Sequence, residues 1–337
     1  INKNSLYMYN NNYILELAKI WLPKNTCIFS SGPATIIDPN HIDKLSKAFS
    51  REGKFTKIIL EGNKNLYISG NFDNFRMYML ALYDRFEIIH NSVKILDKSH
   101  FSAKIFFPST KVEQEIEFIS PLPFPLENVE LSVSSFSDYW NDTFSFKYKG
   151  HTENIICDLS FLTLYGKNLP QSITLDIQYI GIAKSQNRLA QDRLGEGHDK
   201  LQKILAQLAN KPNRRCAIIL YRFIEEELEA KVEELSTTLE TIEASVIKYF
   251  QPNMNSQRMN FPEDSKALVK KIKKHNANRI ITLLNEPQNC IIRSKNTMIP
   301  KTLGGPEYKS IKNYFDLMYR QENVDFDPKH IIDIKID

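Results

Sequence analysis

Side chains that could transfer protons, bind anions or hold a metal ion follow one another through the middle of the chain. Tyr179-Ile180-Gly181 lies near the end of the segment ITLDIQYIGIA, Arg193 follows 12 residues after the glycine, and His198 follows five residues later. Glu243 and Asn255 come further along the chain. Hydrolysis of a phosphodiester needs an aligned water molecule and positive charge at the phosphoryl oxygens. A phenol, a guanidinium, an imidazole and a carboxylate together could supply both.

Six segments must position these side chains. The spacing of apolar residues predicts strands for NIICDLSFLTLY, ITLDIQYIGIA and RRCAIILYRF. It predicts helices for NRLAQDR, HDKLQKILAQLAN and EEELEAKVEELSTTLETIEASVIKYF, the last of which Pro252 ends. The expected order is therefore strand, strand, helix, helix, strand, helix.

This order of elements and residues resembles that of the GIY-YIG nuclease family. The family's motif reads Gly-Ile-Tyr, Tyr-Ile-Gly, Arg, His, a Glu on a later helix, and then Pro-x-x-Asn. Matching residues occur in this order between about residues 155 and 260, which is under a third of the chain. The best counterpart of the first triplet is Thr163-Leu164-Tyr165, in which only the tyrosine is kept.

The resemblance implies roles for four of these side chains. Tyr165 or Tyr179 would orient or deprotonate the attacking water. Arg193 would bridge phosphoryl oxygens with its planar guanidinium. His198 would assist proton transfer or bind phosphate, since its ordinary pKa lies near neutrality.

A divalent metal ion is also implied, held by the single carboxylate of Glu243. A hard oxygen ligand suits Mg²⁺, with Mn²⁺ as the alternative, and the metal would stabilise the departing oxygen. Asn255 would brace the site through its amide. Arg188 competes with Arg193 for the contact with phosphate.

The fold class expected from the resemblance is α+β. A small three-stranded sheet with flanking helices would occupy residues 151–260. It would be inserted between a β-rich α+β domain at residues 1–150 and an α+β segment at residues 261–337. The first domain could recognise the target or regulate cutting.

Local patterns predict the elements of these two flanking regions. YILELAKIWL, DPNHIDKLSKAFS and FRMYMLALYDRF have helical patterns, and FTKIILEG with NLYISGN could form a hairpin. The segments AKIFFP, EQEIEFI, VELSVSSF and TFSFKYKG are strand-like. In the C-terminal region, SKALVKKIKKH and SIKNYFDLMYR predict helices, and RIITLLN, NCIIRSK and the tail predict strands.

Basic charge is concentrated in the C-terminal segment. The whole chain has a net charge of +4, and residues 261–337 contain 14 basic and 10 acidic side chains, a difference of +4. Four lysines of the basic helix could contact a phosphate backbone: Lys270, Lys271, Lys273 and Lys274. The alternative is a solvated helix face.

These patterns favour a metal-dependent endonuclease acting on nucleic acid, with DNA preferred over RNA and a restriction or defence role as one setting. A single unit of this kind makes one cut, so double-strand cleavage would require a homodimer or two events. A regulatory partner could also activate it. The alternatives are a nucleic-acid-binding module that has lost catalysis and a protein-interaction scaffold.

Composition excludes several other classes. Hydrophobic residues make up 42% and charged residues 25% of 337 residues, which excludes a mainly disordered, collagen-like or coiled-coil chain. The four cysteines, Cys27, Cys157, Cys216 and Cys290, lack metal-ligand or redox spacing. The sequence contains no run of about 18 uncharged apolar residues and no signal sequence at its start, so we expect a cytoplasmic protein without membrane contact.

Overall fold

The computed structural model describes residues 22–32, 34–39, 56–60, 64–68, 75–120, 122, 124–134, 143–148, 151–156, 159–169, 173–184, 189–195, 197–223, 232–295, 297, 306–321 and 328–336. The chain divides into two compact units. The first unit comprises the described residues of 1–34, 221–286 and 295–337, and the second comprises those of 35–220 and 287–294.

A five-stranded sheet forms the centre of the second unit. Its strands, in spatial order, are β17 (Cys290–Arg293), β14 (Ile173–Ile182), β5 (Phe75–Asp84), β15 (Arg214–Arg222) and β2 (Thr35–Ile37). β14 pairs antiparallel with β5 and parallel with β17, and β15 pairs antiparallel with β2. β5 is buried on both faces, as its nearly continuous apolar sequence FRMYMLALYD requires.

The remaining strands of this unit form two further sheets and a hairpin. One sheet contains β13 (Gly166–Lys167), β9 (Val112–Ile119), β8 (His100–Phe107) and β6 (Glu87–Ile88), with β7 (Lys94–Ile95) also paired to β8. The other contains β10 (Val129–Ser134), β11 (Thr143–Tyr148) and β12 (His151–Ile156), and a 3₁₀ turn, Leu126–Asn128, precedes it. The hairpin consists of β3 (Thr56–Leu60) and β4 (Lys64–Ile68).

An aromatic core lies between the strands of these sheets. The rings of Phe101 and Phe118 stack with centroids 5.1 Å apart, and Phe144 packs edge-on against both. Phe161, from the helix α1 (Leu159–Tyr165), stacks on Phe118. Such aromatic pairs stabilise a core beyond the area that they bury.

Two short helices complete the second unit. They are α2 (Ala190–Gly195), which packs against β5, and α3 (Asp199–Leu208), which begins directly after His198. The inward face of α3 carries Leu201 and Ile204, both buried.

The first unit is built on a three-stranded sheet. Its strands are β1 (Thr26–Ser30), β16 (Arg279–Leu284) and β18 (His330–Lys335), with β1 parallel and β18 antiparallel to β16. Its helices are α4 (Val232–Phe250), α5 (Lys266–Lys273) and α6 (Pro306–Gln321). α4 packs against β16, β18 and α5, while Tyr314 and Phe315 of α6 pack with Ile281 and Leu283.

The expected fold class is wrong. Of the residues that the structure describes, 41% lie in strands and 28% in helices, and several of the sheets contain three to five strands. The strand Tyr179 belongs to is part of a five-stranded sheet that takes β2, β5 and β17 from outside residues 151–260. The division predicted at residues 150 and 260 stays a prediction.

Two element predictions are also wrong. FRMYMLALYDRF forms the strand β5 and not a helix, because a strand covered on both faces shows no alternation that would distinguish it. In NIICDLSFLTLY, the strand β12 ends at Ile156 and the helix α1 follows.

Other predictions are confirmed: the hairpin of β3 and β4, the strand β14 and the helices α2, α3, α5 and α6. The helices predicted for YILELAKIWL and DPNHIDKLSKAFS lie largely outside the described residues, as does the first part of the helix predicted for EEELEAKVEELSTTLETIEASVIKYF. Within the described part of the chain, no helix combines the length and apolarity needed to cross a membrane.

Candidate active site

Two tyrosines meet on one face of the central sheet of the second unit. In the antiparallel pair of β5 and β14, Tyr78 lies directly opposite Gly181. Tyr179 precedes Gly181 by two residues, and residues two apart on a strand point to the same face. The rings of Tyr78 and Tyr179 are accordingly neighbours, with centroids 6.2 Å apart.

Gly181 allows the Tyr78 ring to cross β14. A β-carbon at this position would lie 2.5 Å from Oη and 2.6 Å from Cζ of Tyr78, and 2.9 Å from Cε1 of Tyr179. All three distances are shorter than a van der Waals contact, so a side chain at 181 and the present Tyr78 ring exclude each other. A glycine within a strand often marks such a close approach.

His198 fixes the hydroxyl of Tyr78. It is the N-cap residue of α3, and its Nδ1 accepts the backbone N–H of Leu201 at 3.3 Å. Its Nε2 lies 2.8 Å from Tyr78 Oη. Because Nδ1 is an acceptor, the proton of the neutral imidazole is on Nε2, which therefore donates to the phenol oxygen.

Arg193 and Tyr179 lie at the accessible side of this pair. The Arg193 guanidinium lies 6.0 Å from the centroid of the Tyr78 ring and donates from Nη1 to the carbonyl of Ile182 at the end of β14. The Tyr179 and His198 rings are 5.3 Å apart. Tyr78 is 0% and His198 9% exposed, whereas Tyr179 and Arg193 are partly exposed. A ligand would therefore contact Tyr179 and Arg193 first.

The structure thus brings together Tyr179, Arg193 and His198, and the tyrosine across from Gly181 is Tyr78, not Tyr165. Tyr165 ends α1, where its ring packs against Phe161 with centroids 5.0 Å apart. Sequence reasoning missed Tyr78. The signal available was Gly181, which indicates that something crosses the strand but not which residue does. Arg188 lies outside the described residues.

Glu243 belongs to the first unit, where it forms an ion pair. Its Oε2 accepts from Nη1 of Arg258 at 2.5 Å, and the same nitrogen donates to the carbonyl of Glu240 at 2.9 Å. The Glu240 carboxylate lies 3.6 Å from the other terminal nitrogen of Arg258. The side chains of Arg258 and Glu243 are only 16% and 13% exposed, so this is a largely buried pair.

Glu243 and its neighbours do not fit the divalent metal ion that the resemblance implies. The Arg258 guanidinium already occupies one oxygen of Glu243 and would repel a divalent cation placed beside it. Among the described residues, no group of three or more histidine, cysteine, aspartate or glutamate side chains could hold a metal. The requirement for Mg²⁺ or Mn²⁺ stays a prediction.

Asn255 and the predicted lysines also belong to the first unit. Asn255 lies in the turn after α4, where its backbone N–H donates to the carbonyl of Pro252 at 3.1 Å. The helix α5 buries Leu268 and Ile272 and exposes its lysines: Lys266, Lys270, Lys271, Lys273 and Lys274. The lysine face is thus accessible to a polyanion or to solvent.

Comparison of the chain with models of known families, with curated proteins and with solved structures finds no match.

Proposed function

We propose that the protein hydrolyses phosphodiester bonds of a nucleic acid, with DNA preferred over RNA, as an endonuclease. The observation that carries this proposal is the cluster in the second unit. Tyr179 and Arg193 are partly exposed and flank the hydrogen-bonded pair of Tyr78 and His198. A phenol and a guanidinium on one face supply a group for water and a group for phosphate. The resemblance to GIY-YIG nucleases, which rests on Tyr179, Arg193, His198 and later residues, is in keeping with this chemistry.

In the proposed reaction, Tyr179 and Arg193 contact the substrate. Arg193 neutralises the charge that develops on the phosphoryl oxygens. The hydroxyl oxygen of Tyr179 accepts a hydrogen bond from the attacking water and aligns it, and the water releases its proton to solvent as the new P–O bond forms and the bond to the leaving oxygen breaks. The leaving oxygen takes a proton from solvent.

Tyr78 and His198 are positioning residues in this proposal. The Tyr78 ring contacts Tyr179 on one side and faces the Arg193 guanidinium, so its orientation influences both. His198 in turn holds the Tyr78 hydroxyl while its own ring packs against Tyr179. Loss of the bond between Tyr78 and His198 would loosen both substrate contacts without removing either.

The charge of the chain supports a polyanionic substrate. The exposed lysines of α5 lie in the segment that carries the net positive charge. Contacts between lysine and phosphate release counterions and give binding that weakens steeply with salt.

The direct test is cleavage of supercoiled plasmid and of structured RNA in Mg²⁺, in Mn²⁺ and in EDTA. Tyr179→Phe and Arg193→Gln should lower the cleavage rate by about 10²-fold or more. The matched controls are Tyr165→Phe, a tyrosine of α1, and Arg293→Gln, an exposed arginine of β17. Equal losses in the variants and their controls, or no cleavage of either substrate, would contradict the proposal.

Glu243→Gln tests the carboxylate separately. If a folded Glu243→Gln variant no longer cleaves in Mg²⁺, the result would support the metal-binding role that the sequence implies for Glu243. Cleavage that persists would leave it as the partner of Arg258. Sedimentation of the active protein, with and without substrate, would show whether two copies act together as a homodimer.

A nucleic-acid-binding module without catalysis is the second candidate. It is favoured by the ion pair that engages Glu243 and by the burial of Tyr78. This module would bind oligonucleotides with a strong salt dependence, show no cleavage in either metal, and tolerate Tyr179→Phe.

A further inference from the structure

A second arginine lies on the same sheet face as the proposed active site. Arg76 precedes Tyr78 by two residues in β5, so both side chains leave the strand on the same face. Its carbonyl accepts the N–H of Ala183 at 2.8 Å, which places it beside the end of β14. Arg193 donates to the carbonyl of the preceding residue, Ile182, so both arginines are connected to the same strand end.

Asp192 belongs to the helix that carries Arg193 and lies close enough to Arg76 for their charges to interact. Its charge acts on Arg76 and opposes the desolvation that lowers the pKa of the guanidinium. The Asp192 carboxylate also accepts the backbone N–H of Leu189 at 2.9 Å, which holds it at the start of α2. Two guanidiniums and one carboxylate leave a net charge of +1 among these three groups.

We infer that Arg76 is a second phosphate-binding arginine, which contacts the phosphate that neighbours the one held by Arg193. This inference rests on the proposed function, because it names a substrate contact at the same site. Arg76 is partly buried, and a cation in such surroundings attracts an anion more strongly than one in bulk water. The single charge of Asp192 leaves the positive charge of the two arginines incompletely neutralised. A guanidinium is also the side chain best suited to bidentate contact with phosphate.

Oligonucleotide binding in EDTA is the first test, since it does not require cleavage. Arg76→Gln should weaken binding by about tenfold or more and lower the slope of log K against log salt by about one. Arg76→Lys should keep the slope and recover part of the affinity. Arg293→Gln, in β17 of the same sheet and separated from β5 by β14, is the control and should change neither. An unchanged slope in a folded Arg76→Gln protein, with only its thermal stability lowered, would overturn the inference.

A substrate modification tests the same contact in the wild-type protein. Oligonucleotides with a single neutral methylphosphonate at successive positions should lose affinity at two adjacent phosphates. In Arg76→Gln, one of these two positions should become insensitive to the modification. If both positions stay sensitive, or only one is sensitive in the wild type, Arg76 does not bind the neighbouring phosphate.

Cleavage kinetics separate failure of this inference from failure of the proposed function. If the protein cuts, Arg76→Gln should raise KM about tenfold and change kcat by less than about twofold, and an unchanged KM would overturn the inference alone. If the protein does not cut, but Arg76→Gln lowers the salt slope and removes one sensitive position, the phosphate-binding role of Arg76 is supported and the proposed endonuclease activity is contradicted.

Discussion

Replacing Gly181 with alanine should push Tyr78 away from His198. The added β-carbon would lie 2.5 Å from Tyr78 Oη and 2.6 Å from its Cζ, and the hydroxyl is the atom that bonds His198. Overpacking of this kind costs about 1–3 kcal/mol, and the lost hydrogen bond about 1 kcal/mol more. Alanine otherwise stabilises a strand relative to glycine by roughly 0.5–1 kcal/mol. The net expectation is destabilisation by about 2 kcal/mol.

A double-mutant cycle assigns this cost to the Tyr78 ring. In Tyr78→Leu the two closest atoms are absent, which leaves the Tyr179 ring at 2.9 Å as the nearest of the three neighbours. Gly181→Ala should then cost less than about 0.5 kcal/mol. The coupling energy between the two positions should therefore be about 1.5 kcal/mol or more. Urea unfolding followed by circular dichroism measures the cycle, and hydrogen exchange in β5 and β14 locates the change.

Tyr165→Leu provides the matched cycle, since Tyr165 packs against Phe161 in α1. We expect its coupling to Gly181→Ala to be within about 0.5 kcal/mol of zero. If Gly181→Ala costs the same in the wild type and in Tyr78→Leu, the tyrosine ring does not lie across the glycine. The geometry of the candidate active site would then be wrong, whatever the protein does.

Three further outcomes are expected. Arg258→Met should destabilise the protein by about 3–5 kcal/mol, because Glu243 would lose its partner in a largely buried pair, and adding Glu243→Gln should recover part of the loss in urea unfolding. Cys216 should resist iodoacetamide at pH 8 in the folded protein and react once unfolded, as read by mass spectrometry, because burial raises the pKa of its thiol to about 12. A hydrogen bond from the backbone N–H of Ser99, together with hydrogen bonds from His100, lowers the pKa of Asp97 to about 2. The stability that the ionised Asp97 contributes should therefore be present above about pH 4 and lost as the pH falls through about 2. Carbon-13 NMR of the carboxyl groups measures that pKa, and a value near 4 would contradict this hydrogen-bonding arrangement.

The elements around Tyr179 could be predicted because their signals are local. Alternation in ITLDIQYIGIA marks β14, and the helices after it show their own spacing of apolar residues. β5 carries no such signal. Both of its faces are buried, so its apolar residues run almost without interruption and fit a helix as well as a strand.

The sequence does not assign Tyr78 to the candidate active site, because β5 lacks alternation and for a second reason. Its position in the site depends on pairing with Gly181, 103 residues further along the chain, and the register of such a pair is set by packing of the whole sheet. Tyr165 lies nearer in sequence and fits the motif better, but it ends a helix within a segment whose pattern predicts a strand.

The ion pair between Glu243 and Arg258 could not be predicted from the sequence either. Arg258 follows 15 residues later, outside the motif, and only the turn after α4 brings it back to the helix. A carboxylate in an expected position says nothing of which cation will neutralise it. In this chain the guanidinium of Arg258 neutralises Glu243. Cleavage assays in Mg²⁺, Mn²⁺ and EDTA test whether a metal ion is required.

His198 shows that a structural and a chemical role need not be alternatives. As the N-cap of α3 it satisfies a backbone N–H that would otherwise lack a partner within the helix. That same contact occupies Nδ1, fixes the proton on Nε2, and makes the imidazole a donor to Tyr78. An asparagine at this position could cap the helix equally well but would not carry a ring to Tyr179. His198→Asn should therefore separate the two roles, because it preserves the cap while removing the contacts that position the tyrosines.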